Sequence, residues 1–126
     1  MDFSLTADQE EFRTYVRKVL MKDIATQIVR DIAKGDERLL TDAHNKLTDL
    51  GIMGIPVAED YGGLELGATD LIPVMEELGR AVMPDVYAET LAFAVPLIAK
   101  YGTEQQKQEF LGAISEGSRL ISLAWL

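Results

Sequence analysis

The chain has 126 residues, no cysteine, and a hydrophobic fraction of 48%, enough for one domain with its own core. The missing thiols exclude a disulfide scaffold, a cysteine-ligated zinc site, a thiol nucleophile and a thiolate-held cluster. The net charge of −9 is uneven, with four basic against eleven acidic residues over 51–126. No basic face is interleaved with aromatics, so nucleic acid is excluded as the main partner and an anionic membrane surface is disfavoured.

The first predicted helix opens at Thr6, with Gln9 three residues on in capping-box spacing. Phe12, Tyr15, Val16, Val19 and Leu20 form one helical stripe, which continues less cleanly through Ile24, Ile28 and Ile32 to a stop at Gly35. Asp36 restarts a helix that carries Leu40, Ala43, Leu47 and Leu50 on one face and ends at Gly51. Residues 52–68 are apolar but broken by glycine and proline, and read as a long structured loop. Thr69 or Asp70 caps the next helix, with Pro73 in its first turn and Leu71, Val74, Met75, Leu78 and Val82 as its stripe. Pro84-Asp85 separates it from a helix over 86–101 that is apolar on several sides, and Pro96 must kink or split that helix. Thr103 and Gln106 form a second capping box, Phe110, Leu111 and Ile114 form the buried face of the last helix, and Gly117 ends it. Leu120–Leu126 reads as a strand with no partner in an otherwise helical chain.

The chemistry-bearing residues are sparse. His44, the only histidine, reads as an ordinary surface or half-buried residue. The pairs Glu59-Asp60 and Glu76-Glu77 read as solvated. Glu89 lies among apolar neighbours, and the pattern leaves open whether it faces water or a pocket. Gly62-Gly63 and Gly67 lack the spacing of a phosphate loop. The longest nearly uncharged stretch, Thr90 to Ala99, is half the roughly 20 residues a membrane span needs, and the acidic start lacks a signal-peptide pattern, so a soluble, cytoplasmic protein is expected. From the residues alone the chain is an acidic all-α domain without an assigned activity.

Four blocks in order carry a resemblance: Thr6-x-x-Gln9; Asp49-Leu50-Gly51-Ile52-Met53-Gly54-Ile55-Pro56-Val57-Ala58-Glu59-Asp60-Tyr61-Gly62-Gly63; Met75-Glu76-Glu77-Leu78-Gly79-Arg80-Ala81; and Tyr101-Gly102-Thr103-Glu104-Gln105-Gln106-Lys107. Together they resemble the N-terminal helical domain of acyl-CoA dehydrogenases, over essentially the whole chain. The resemblance implies an up-and-down bundle of five or six helices over residues 1–117, with 118–126 opening a middle β-domain as a terminal strand. It implies FAD, an acyl-CoA substrate, an electron-transfer flavoprotein as acceptor and a homo-oligomer. It places Asp85, Val86, Glu89 and Phe93 on the acyl-chain cavity, where the bulk of Phe93 favours a short or branched acyl group. It brings Leu123, Trp125 and Leu126 toward the flavin. Leu126 departs from the family's threonine, which puts a hydrogen bond from that position in doubt and points to a divergent or non-catalytic subunit. Alternatively, Trp125 and Leu126 pack between domains. The family's catalytic glutamate has no counterpart here, so no catalytic residue is assigned, and the chain alone is expected to be inactive. The other readings are a related acyl-CoA oxidase or flavin monooxygenase, and a free-standing helical interaction module.

Overall fold

The computed structural model describes residues 4–124, and all regular structure in them is helical. Six α-helices follow in order: α1 (Ala7–Asp23), α2 (Thr26–Ala33), α3 (Glu37–Asp49), α4 (Ala68–Arg80), α5 (Val95–Tyr101) and α6 (Glu104–Ser115). A π-wound segment, Glu89–Ala94, runs directly into α5. The expected capping boxes form. Thr6 Oγ1 accepts the Gln9 N–H at 3.2 Å and Gln9 Oε1 accepts the Thr6 N–H at 2.9 Å. Thr103 and Gln106 do the same for α6, and the Asp36 carboxylate caps α3 through the Leu39 N–H.

The long stripe expected from Thr6 to Gly35 is two helices, divided at Ile24 and Ala25. Ile24 leaves helical geometry yet stays buried, and α2 then turns Val29 and Ile32 into the core. Covering that core from a second direction outweighs continuing one helix, and no proline or glycine marks the break. Residues 52–66 fold back on themselves. Gly54 C=O accepts the N–H groups of Val57 and Leu64, Ile55 C=O that of Leu66, and Val57 C=O that of Glu65. Gly63 lies so close to the Val57 carbonyl that any Cβ there would collide with it. This loop contributes Ile52, Met53, Ile55 and Val57 to the core, beside Val16, Leu47, Val74, Leu111 and Ile114.

α4 starts earlier than expected, with Gly67 at the cap. Asp70 accepts the Gly67 N–H at 3.0 Å from inside the first turn, so Pro73 sits one turn deeper, buried in the second turn. The other Asp70 oxygen accepts from Gln9 Nε2 at 2.9 Å, tying the N-terminus of α1 to that of α4. Farther along the same pair of helices Arg13 and Arg17 meet Glu77, so α1 and α4 run in the same direction.

Glu77 is not solvated: its side chain is 1% exposed. Oε1 accepts from Arg13 Nε at 3.0 Å and Arg17 Nη2 at 2.6 Å, Oε2 accepts from Arg17 Nε at 2.9 Å, and Arg80 Nε lies 3.5 Å away. Its neighbour Glu76 stays exposed, 3.3 Å from Arg13. The Arg17 hydrogen bonds lead the interactions that hold the Glu77 carboxyl down from the ordinary 4.5 to about 2.

Val82 leaves the predicted stripe. It is 72% exposed with φ +53°, in the position after α4 where glycine is usual. Its N–H bonds Gly79 C=O and the Met83 N–H bonds Leu78 C=O, closing the helix end around a β-branched residue in the left-handed region. The terminal strand is not formed among the described residues. After Gly117, φ +73°, residues 119–124 carry no ladder, because the helical chain offers no neighbouring strand.

Two stability changes follow. Glu77 has a lowered folded-state pKa, so its contribution is present above about pH 5 and is lost as pH falls from 4.5 toward about 2. Glu77→Gln should cost about 3 kcal/mol at pH 7 and flatten the acid limb of a urea-stability profile taken between pH 6 and pH 2. Val82→Gly should raise the urea-derived stability by about 1 kcal/mol through relief of the left-handed conformation.

Candidate functional site

The region between α4 and the end of the chain holds the expected site residues. Asp85 Oδ1 accepts the Val86 N–H at 2.8 Å and turns the chain into the helix that follows. On that helix Tyr87, Thr90, Leu91, Ala94 and Val95 are buried against the core. Val86 is half-buried, and Glu89 and Phe93 are exposed, Phe93 at 58%. Leu97 and Tyr101 continue the same outward stripe. The sequence pattern suggests burial on several sides. The structure corrects this, because the domain's core covers only the inner face.

Glu89, left open by the pattern, faces solvent. The four expected cavity residues are not gathered into one enclosed space. Asp85 lines a groove of about 470 Å³ between the end of α4 and Tyr87-Ala88, while Val86, Glu89 and Phe93 stand on the open stripe beside it. A second, apolar groove of about 660 Å³ lies between Leu66, Leu71 and Ile72 on one side and Leu91, Ala92 and Pro96 on the other.

The helix itself is unusual. Over Glu89–Ala94 it is wound as a π-helix, and the Val95 N–H reaches back five residues to Thr90 C=O. Pro96 falls in the first turn of α5, where the winding returns to α, so the helix is divided without being broken.

Two contacts tie this helix to the tail after α6. His44 is half-buried, and its ring nitrogens reach Tyr87 Oη at 2.9 Å and Gly117 C=O at 2.7 Å. A carbonyl only accepts, so Nε2 carries a proton, and in the neutral ring that leaves Nδ1 to accept from the Tyr87 hydroxyl. The two rings stack at 5.7 Å. Burial, reinforced by the charge of Asp85, pushes the Tyr87 phenol well above its usual range, so it remains a donor. The second contact is Thr90, 0% exposed, whose hydroxyl accepts the Ile121 N–H and donates to the Ile121 C=O, both at 2.9 Å. Sequence reasoning missed both links. The only available signal was a threonine inside an apolar helix, and periodicity does not say what its hydroxyl meets.

Leu123, expected at the flavin, is 41% exposed two residues past Ile121, while Trp125 and Leu126 lie outside the described residues. Arg119 at the tail's start is engaged with Glu109 at 3.3 Å and with the Phe110 ring. Among the described residues no group of three or more His, Asp or Glu converges on a metal position, and no helix is long and apolar enough to cross a membrane.

Residues 6–118 match the family described as acyl-CoA dehydrogenase, N-terminal domain. The short-chain specific acyl-CoA dehydrogenase of Clostridium acetobutylicum is 31% identical over 125 residues, which are 95% of this chain and 32% of that protein. The solved butyryl-CoA dehydrogenase of Megasphaera elsdenii superposes with a TM-score of 0.74 at 31% identity, over 95% of this chain and 32% of that one. A chain of the ChsE4–ChsE5 complex of Mycobacterium tuberculosis gives 0.85 at 23% identity, over 97% and 34%, and bears on the fold alone. The chain thus spans about a third of the length of these relatives. Matched from its first capping box to the turn after α6, with the helical architecture of its relatives, the chain belongs to the acyl-CoA dehydrogenase family as an N-terminal domain.

Proposed function

We propose that this chain forms one wall of the active site of a FAD-dependent enzyme that dehydrogenates an acyl-CoA thioester between Cα and Cβ. The observation that carries the reading is the outward stripe Val86–Glu89–Phe93, bonded through Thr90 to the tail within a family-matched domain. Ile72, Phe93 and Leu97 are large apolar side chains left exposed. Such apolar area suits a domain covered by further protein.

On this reading Val86 and Phe93 line the acyl tail, with Asp85 and Glu89 at its polar limits. Leu123, with Trp125 and Leu126, approaches the flavin edge. Beyond Ile121 the described tail offers backbone groups, the exposed Ser122 and the apolar Leu123, and its one cation, Arg119, is already engaged. That set fits the rim of a flat ring and brings no free cation to a pyrophosphate, so on this reading most of FAD is held elsewhere, and the chain alone neither retains FAD nor turns over substrate. FAD, when bound, supplies the hydride acceptor. The chain's own residues shape the cavity and exclude water from it. An electron-transfer flavoprotein as acceptor, a homo-oligomeric assembly and a cytoplasmic location complete the proposal.

The protein that carries this domain should show flavin absorbance and reduce it with acyl-CoA under anaerobic conditions. Phe93→Ala should raise kcat/KM for octanoyl-CoA relative to butyryl-CoA by at least about tenfold. An unchanged ratio removes Phe93 from the cavity, and wild-type protein without flavin bands removes the enzyme reading. Fast oxidation of the reduced flavin by oxygen redirects it to an oxidase.

A further inference from the structure

We propose that Thr90 is a positioning residue, setting the register between the substrate-facing stripe and the flavin-facing tail. The inference rests on the site reading above. Thr90 is wholly buried, and its single hydroxyl satisfies both backbone polar groups of Ile121, donating to one and accepting from the other at 2.9 Å. A strand gets this service from a ladder, and no ladder exists among the described residues.

The clamp does not act alone. Tyr87, His44 and Gly117 form a relay that ties the same helix to the start of the tail. The two ties are three residues apart on the helix and four apart on the tail. Two fixed points set the direction of the tail as well as its distance. The flanking geometry makes this matter at the site. Glu89 is the residue next to Thr90 and Phe93 is three beyond it, both turned outward. Leu123 follows Ile121 by two residues, within about 7 Å of the clamp by chain length. The π winding belongs to the same device. Thr90 C=O takes the Val95 N–H five residues on, so the residue that carries the clamp also opens the wider turn.

Thr90→Val preserves shape and removes both bonds, and Thr90→Ser keeps them. In the full chain, hydrogen exchange at the Ile121 amide should be at least tenfold faster in Thr90→Val, while the amides of Val16 and Leu47 stay as protected as in wild type and Thr90→Ser restores Ile121. In the flavin-bearing protein, Thr90→Val should lower kcat severalfold with KM for acyl-CoA little changed and shift the visible flavin bands. Thr90→Ser should return both. Wild-type exchange at Ile121 in Thr90→Val overturns the clamp, as does a uniform acceleration of every amide. A freed Ile121 with unchanged kcat and flavin bands overturns the positioning role. The underlying site reading fails separately, on a wild-type protein that holds no flavin, and Ile121 exchange decides the clamp in that case too.

Discussion

A carboxylate with almost no exposed surface must be answered by cations, and Glu77 is answered by three: Arg13, Arg17 and Arg80. In a chain of net charge −9 with twelve basic residues, three converge on one side chain. The placement of the site follows from this. Two of the arginines come from α1 and the third from the end of α4, so the cluster sets how these parallel helices lie along one another. The Gln9 carboxamide repeats the tie at their N-termini. Burial makes the arrangement demanding, since an unmatched charge in that position would cost several kcal/mol.

The end of α4 passes the geometry on. Its closing turn uses Val82 in a conformation that glycine would adopt without strain, and the chain then bends through Pro84 and Asp85 into the π-wound helix. The inner face of that helix is held by Tyr87, Leu91 and Val95 in the core, and its outer face is left bare. The bare face and the tail are the two surfaces proposed above to meet acyl chain and flavin. They are joined by hydrogen bonds from three side chains, His44, Tyr87 and Thr90, none of which stands on the outward stripe. The polar ties lie inside and the contact surfaces outside.

Local signals were legible where their physics is local. Thr6 with Gln9, Asp36, and Thr103 with Gln106 satisfy orphan N–H groups within one turn, and the sequence alone located each of them. Gly51 and Gly117 ended their helices as expected, with positive φ. The broken apolar run after Gly51 was rightly no α-helix, because its glycines and proline leave only short 3₁₀ turns at Ile52–Gly54 and Glu59–Tyr61. Less local features escaped. The break at Ile24 has no breaker residue, and Glu77 looks like its exposed neighbour Glu76. The π winding has no signature, and the tail's partner is thirty-one positions away.

The sequence by itself determined an acidic, cysteine-free helical domain, most of its helix boundaries, and the ordered blocks that carry the family. These properties depend on composition and on contacts within a few residues. Tertiary structure alone decided that Glu77 is buried, that Glu89 and Phe93 face outward, and that a threonine in one helix holds the backbone of a distant tail. Each of these depends on which surfaces meet across the core, and a periodic pattern records which face is apolar without recording what lies against it.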